Sequence, residues 1–123
     1  MSTYYQEDKK SMYFVAIVND EVIGGCGIAP FNDSPNLCEL KKLFLLRDFR
    51  GYGIGKSLSR ECLEFAGKHG FSQCYLETLS NMESAIQLYL KLGFKRLDKP
   101  LTASIHQSCD IWMMKDLCPE HPL

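Results

Sequence analysis

The segment Arg50-Gly51-Tyr52-Gly53-Ile54-Gly55-Lys56 carries residue types that bind an anion through the backbone. Glycine at alternate positions lets the main chain curl close to a ligand, because no Cβ stands in the way. An apolar strand pattern precedes the segment and an amphipathic helix pattern follows it, so its later residues supply the first amides of a helix. Those amides have no intrahelical acceptor, and the helix dipole adds about half a positive charge at the same end. Arg50 and Lys56 flank the turn. The chemistry that fits is capture of a diphosphate. The plainer reading of the same residues is a strand-to-helix connection, a task glycine also serves.

Two familiar phosphate loops fail on spacing. A dinucleotide fingerprint needs G-x-G-x-x-G, whereas Gly51, Gly53 and Gly55 form G-x-G-x-G. A nucleotide-triphosphate loop needs G-x-x-x-x-G-K-[ST]. Gly55-Lys56-Ser57 supplies its end, but Gly51 stands one residue too close. A small phosphate-binding protein built on this near match is one alternative, and nucleotide-specific binding would mark it.

The loop also fits Q/R-x-x-G-x-G/A, with Arg50, Gly53 and Gly55 at the fixed positions. Other stretches accompany it in order. Glu39-Leu40-Lys41-Lys42-Leu43-Phe44-Leu45 reads as the strand before the loop, and Tyr75-Leu76-Glu77-Thr78 as the strand after it. Ala85-Ile86-Gln87-Leu88-Tyr89-Leu90-Lys91-Leu92-Gly93-Phe94 follows the pattern A-x-x-L-Y-x-x-x-G-F. On these motifs, over roughly residues 12 to 117, the chain resembles the GNAT superfamily of acyl-CoA-dependent N-acetyltransferases.

The resemblance implies direct transfer of an acetyl group from acetyl-CoA to a primary amine of a small molecule or peptide. Backbone groups of Leu43, Phe44 and Leu45 are expected to pair with the pantetheine arm and polarise the thioester. Arg50, Gly51, Tyr52, Gly53, Ile54, Gly55 and Lys56 are expected to hold the diphosphate. Asn81 is expected to touch the carrier, although the family's asparagine aligns with Met82. An attacking amine must be neutral and the departing thiolate takes a proton, so a base and an acid are needed. Tyr89 occupies the family's tyrosine position and is the expected acid, since a phenol is protonated at neutral pH. Its place on an apolar helix stripe also suits simple packing. Glu77, twelve residues before Tyr89, is the first candidate base and Glu39 the second. Either glutamate also suits a structural ion pair, and water is the remaining base. His106 is expected to overhang the acceptor pocket, although a lone loop histidine also suits plain exposure. A different class of function, a non-catalytic acyl-CoA-binding or regulatory module, stays open beside the enzyme.

The elements that must position these groups are legible in hydrophobic period and turn residues. Met12 to Val18 and Glu21 to Ile28 form a hairpin about Asn19-Asp20, and Leu37 to Leu46 forms a strand entering the glycine loop. Ile54, Leu58, Cys62, Phe65 and Ala66 lie along one helix face, which Gly67 or Gly70 terminates. Phe71 to Leu79 returns as a strand. Ser80 and Glu83 make a capping box for a second helix over about 81 to 92, with Met82, Ala85, Ile86, Tyr89 and Leu92 on its inner face and Gly93 as the C-terminal cap. Phe94 to Leu97 and Cys109 to Met114 complete the sheet. The expected fold is therefore α/β of the α+β type: a mixed, mostly antiparallel sheet of about six strands with two main helices, in one domain over residues 1–123. Relative to GNAT proteins the usual first strand and helices are expected to be missing, since about eleven residues precede Met12. That leaves the Met12 to Val18 edge open to another chain and makes a homodimer possible.

Composition agrees with one compact domain. The chain has 123 residues, 46% of them hydrophobic, and a formal net charge of -1. Such a charge offers no basic face for nucleic acid. No apolar run approaches the roughly 18 residues of a membrane span, and the polar start from Met1 to Lys10 lacks a signal core. A cytoplasmic protein with neither a nucleic-acid nor a membrane partner is expected. Cys26, Cys38, Cys62, Cys74, Cys109 and Cys118 contain no C-x-x-C pair and read as free thiols. His69, His106 and His121 show no ligand spacing with them, so no metal is expected.

Overall fold

A computed structural model describes residues 2–5, 11–101 and 110–117. The expected positions His106, Cys109, Cys118 and His121 lie outside them. The strands are β1 (Ser2–Tyr5), β2 (Met12–Val18), β3 (Glu21–Pro30), β4 (Leu37–Leu45), β5 (Gln73–Thr78), β6 (Lys95–Leu97) and β7 (Ile111–Asp116). Helix α1 spans Ile54–Lys68 and α2 spans Glu83–Lys91, with single 3-10 turns at Phe31–Asp33 and Arg47–Phe49. The strands form one sheet in the order β1-β2-β3-β4-β5-β7-β6. Among the described residues only β4 and β5 pair in parallel.

The sheet has seven strands, where about six were expected. The additional one is β1, antiparallel to β2 from Ser2↔Val15 to Tyr5↔Met12. The expectations of a missing first strand and of an open Met12 to Val18 edge are thereby corrected. Thr3, Tyr4 and Tyr5 are β-prone residues, and the β2 edge offers a row of backbone groups that need partners. The β2–β3 hairpin turns at Asn19 and Asp20 with φ of 50° and 65°. Both central residues are left-handed, as a two-residue turn matched to strand twist requires.

Strand alternation divides the sheet into two faces. Phe14 and Ala16 of β2, Ile23, Cys26 and Ile28 of β3, Cys38 and Leu40 of β4, Cys74 and Leu76 of β5 and Met113 of β7 form one core with Leu58, Cys62 and Ala66 of α1 and Tyr89 of α2. Both helices therefore pack on the same face. On the other face, Tyr13 lies across β3, where a Cβ at Gly25 would stand 2.6 Å from its hydroxyl and 2.9 Å from the Phe44 ring. Glycine is required there for close approach.

Each helix ends in the same hydrogen-bond pattern. Phe71 N–H donates to Ala66 O at 3.1 Å and Gly70 N–H to Gly67 O at 3.3 Å. After α2, Phe94 N–H donates to Tyr89 O at 3.0 Å and Gly93 N–H to Leu90 O at 3.1 Å. This is the Schellman closure, which turns the chain out of a helix through a left-handed residue. Its apolar contact is the edge-to-face pair of Tyr89 and Phe94, 5.8 Å between ring centres. The closure thus fixes the position of Tyr89.

The start of α2 departs from expectation. The capping box of Ser80 and Glu83 does not form: α2 begins at Glu83 with Met82 before it and no side-chain cap. Ser80 N–H donates to Asp110 Oδ1 at 2.7 Å instead. A carboxylate from a distant strand end displaces the local cap, because a hydrogen bond to a charged acceptor is roughly twice as strong as a neutral one. Met82, expected on the buried stripe, is 45% exposed.

Gly93 has φ of 101° and a Cβ there would meet Lys115 Nζ at 2.7 Å, whereas Gly67 lies in α1 with open space around its missing Cβ. Gly93→Ala is expected to lower the unfolding free energy by about 1–2 kcal/mol. Gly67→Ala is expected to raise it by about 0.5–1 kcal/mol. Urea unfolding of the two variants beside the parent protein checks both signs.

Candidate active site

The site is built where β4 leaves β5. The β3–β4 register passes from Gly25↔Phe44 to Gly27↔Lys41, so the two positions Lys42 and Leu43 oppose Cys26 alone. A bulge of this kind bends the strand that carries it. The parallel β4–β5 ladder runs Leu37↔Gln73, Cys38↔Cys74 and Glu39↔Tyr75 and then stops. Leu43, Phe44 and Leu45 have no ladder partner on β5, which ends at Thr78, so this stretch of the β4 edge borders a candidate cleft.

The glycine loop stands at the mouth of that cleft. Gly51 and Gly53 have φ of 90° and 78°, both left-handed. Gly53 precedes α1 without a side-chain cap, and the first turn holds no acidic residue. The first intrahelical bond is Ser57 N–H to Gly53 O at 3.0 Å, which leaves the amides of Ile54, Gly55 and Lys56 ahead of it. Gly55 is helical, and its missing Cβ would lie 3.6 Å from Leu88 of α2. Tyr52 is 76% exposed and Lys56 is exposed. Arg50 Nε donates to Leu45 O at 3.2 Å, fastening the loop to the end of β4. Asn81 sits exposed in the turn before α2, beside the Ser80 to Asp110 bond.

The structure brings Glu39 and Glu77 together around Tyr75. Glu39 is the register partner of Tyr75, and Glu77 follows Tyr75 by two positions, so all three share the face away from the helices. Tyr75 O–H donates to Glu77 Oε2 at 2.7 Å, and its oxygen accepts Leu101 N–H at 3.3 Å. Burial, together with the hydrogen bond to Glu77, pushes the Tyr75 phenol well above its ordinary pKa. Nothing in composition or period singled out Tyr75. Only the i, i+2 spacing to Glu77 on one strand carried that signal.

Tyr89 stands on the opposite face, only 7% exposed in the helix-side core. Burial, with the nearby Cys26, Cys74 and Cys62 thiols, pushes its phenol well above the ordinary tyrosine value. The candidate acid and the candidate bases thus lie on opposite sides of the sheet. Cys26, Cys38, Cys62 and Cys74 are buried and free; a hydrogen bond with Cys26 and burial push Cys62 up, and burial pushes Cys74 up.

A concavity of about 740 Å³ runs along the helices between Arg60, Glu61, Glu64, Lys68 and Lys91, and Glu39, Tyr75, Glu77 and Tyr89 do not line it. A smaller one of about 230 Å³ adjoins the loop at Tyr52, Gly53, Ile54 and Ser57. Among the described residues, no group of three or more metal-ligating side chains gathers, and no helix is long and apolar enough to cross a membrane.

A bent strand splaying from its parallel neighbour beside a glycine loop defines the class, and the match to the acetyltransferase (GNAT) family covers residues 1–94. The chain belongs to that family. It is 41% identical over 106 residues, 85% of its length, to the uncharacterized N-acetyltransferase YjgM of Escherichia coli, and it spans 64% of the length of that protein. The chain thus spans less than two thirds of the curated relatives it matches. Among solved structures it resembles a GNAT acetyltransferase from Staphylococcus aureus, with a TM-score of 0.78, 23% identity and coverage of 88% of this chain and 69% of the other. It also resembles the PaiA N-acetyltransferase of Thermoplasma acidophilum in complex with coenzyme A, with a TM-score of 0.71, 24% identity and coverage of 86% and 60%.

Because the Tyr89 phenol is pushed above about 10, the ordinary tyrosine value, it keeps its proton throughout the neutral and mildly alkaline range. A rate profile for thiol release is expected to show no loss from Tyr89 ionisation below about pH 10. Difference absorbance of tyrosinate between wild type and Tyr89→Phe, titrated from neutral pH upward, checks the assignment.

Proposed function

We propose that this chain is an acetyl-CoA-dependent N-acetyltransferase acting on a primary amine of a small molecule or peptide. The observation that carries this reading is the end of the β4–β5 ladder at Glu39↔Tyr75, next to a helix whose first amides are uncapped. Acetyl-CoA supplies an activated acyl group. Backbone edges of Leu43, Phe44 and Leu45 suit an arm rich in amides, which would complete the interrupted ladder. Amides from Gly51 to Lys56 suit its diphosphate, with Lys56 adding charge. Arg50 holds the loop against Leu45, and Asn81 lies at the turn that borders the cleft. The coenzyme A bound to the Thermoplasma relative supports this choice of donor.

The chemistry asked of the side chains is small. Glu77, or Glu39 beside it, takes a proton from the amine; the nitrogen attacks the thioester carbonyl, the C–S bond breaks, and Tyr89 protonates the departing sulfur. Tyr89 then regains a proton from solvent, and the glutamate releases to solvent the proton it took from the amine. Burial of Cys26, Cys38, Cys62 and Cys74 in the core favours direct transfer over a cysteine-bound intermediate. Four core thiols also suit the reducing cytoplasm, where we place the protein.

Calorimetry with acetyl-CoA, followed by thiol release across a panel of amines, tests the reading. Gly53→Glu sets a carboxylate at the helix opening and is expected to weaken acetyl-CoA at least about tenfold. Tyr89→Phe is expected to bind acetyl-CoA as wild type does and to lose about a hundredfold in kcat. Binding without amine-dependent thiol release would favour a non-catalytic acyl-CoA module. Absence of acetyl-CoA binding would sink the proposal.

A further inference from the structure

We propose that Tyr75 is a positioning residue for the transfer, its hydroxyl holding the Glu77 carboxylate in place at the point where β4 parts from β5. The proposal rests on the reading of Glu77 as the base.

Tyr75 is fully buried, yet it lies on the sheet face that carries neither helix. Its ring meets Phe31 edge-on, 5.1 Å between centres at 69°. Its oxygen accepts Leu101 N–H at 3.3 Å. Ring and oxygen are thus both held, and one group remains, the O–H proton. A buried tyrosine needs a partner for that proton, and a backbone carbonyl would serve if packing were the whole purpose. The proton is instead directed at Glu77 Oε2, at 2.7 Å, the short distance of a hydrogen bond to a charged acceptor.

The consequence for Glu77 is entropic and geometric. A glutamate side chain in solvent samples many rotamers, and fixing it costs conformational entropy. A donor anchored at its ring and its oxygen selects one arrangement before the amine arrives. The phenol is itself held protonated by burial, so it remains a donor while Glu77 exchanges protons. Glu39, the register partner of Tyr75, stands beside this pair on β4. Positioning of a reacting group within a few tenths of an ångström is worth one or more powers of ten in rate.

The test is a double-mutant cycle on the full chain, using Tyr75→Phe, Glu77→Gln and both together. Thiol release from acetyl-CoA is measured with spermidine, L-lysine and L-aspartate as probes. Tyr75→Phe keeps the ring and its contact with Phe31. It is expected to lower the melting temperature, since two hydrogen bonds are lost, and to lower kcat about tenfold at a temperature where the variant is folded, while the calorimetric affinity for acetyl-CoA stays at the wild-type value. Glu77→Gln is expected to cost about a hundredfold, and adding Tyr75→Phe to it is expected to cost nothing more, because the hydroxyl acts only through the carboxylate. Incorporating 3-fluorotyrosine at position 75 keeps the fold and alters the donor alone. Its effect on kcat is likewise expected to vanish in the Glu77→Gln background.

Equal losses in both backgrounds would overturn the proposal, since Tyr75 would then act independently of Glu77. Full activity in Tyr75→Phe beside a defective Glu77→Gln would overturn it while leaving the base in place. Full activity in Glu77→Gln would overturn the base reading and this proposal with it. Absence of thiol release by wild type with all three amines would overturn the transferase reading beneath both.

Discussion

The β4–β5 ladder is held for three registers and then given up, and the arrangement of the site follows from that interruption. Interior strands do not normally leave backbone donors and acceptors unpaired, since each buried group without a partner costs about 1–3 kcal/mol. The bulge at Lys42 and Leu43 resolves the conflict on one side only, keeping β4 bonded to β3 while bending it away from β5. The other edge of β4 stays available to a ligand. Arg50 then closes on the Leu45 carbonyl, so the strand end and the glycine loop move as one piece.

The sheet separates two kinds of environment across a single layer. On the helix side, aliphatic groups, thiols and Tyr89 form a dry core in which a phenol resists ionisation. On the far side, Glu39, Tyr75 and Glu77 cluster with polar partners in reach. The proposed proton donor and the proposed acceptors are thereby kept apart, because the strands lie between them. This division costs no special residues beyond strand alternation, which sends Cys74 and Leu76 one way and Tyr75 and Glu77 the other.

Several long-range bonds determine where the catalytic candidates sit. Asp110, at the start of β7, takes the Ser80 amide and so sets the turn that leads into α2. The Ser80 hydroxyl and amide hold the Asp110 carboxyl below the usual carboxylate range, so the charged form that makes the bond persists at neutral pH. At the other end of α2, the closure through Gly93 locks Tyr89 against Phe94. Both ends of a nine-residue helix are therefore set from outside it, as suits a helix too short to be stable alone.

Local chemistry by itself determined most of the elements. The β2–β3 hairpin with its Asn19-Asp20 turn, β4 into the glycine loop, α1 with Leu58, Cys62 and Ala66 inward, and the Gly93 cap all follow from period and from backbone preferences that neighbours within a few residues decide. The family motifs added the identities of Tyr89, Glu77 and Glu39. What only the tertiary structure decided were pairings between distant residues. β1 is a short polar stretch that becomes a strand because the β2 edge needs partners. The expected cap of Ser80 and Glu83 lost to Asp110. The bulge opposite Cys26 leaves no mark in the apolar pattern of β4, and the Tyr75 to Glu77 bond depends on Leu101 and Phe31 fixing the ring. Period and turn residues report what a segment prefers alone. Register, strand divergence and the direction of a buried hydroxyl are set by competition among partners far apart in the chain, and that competition exists only once the chain is folded.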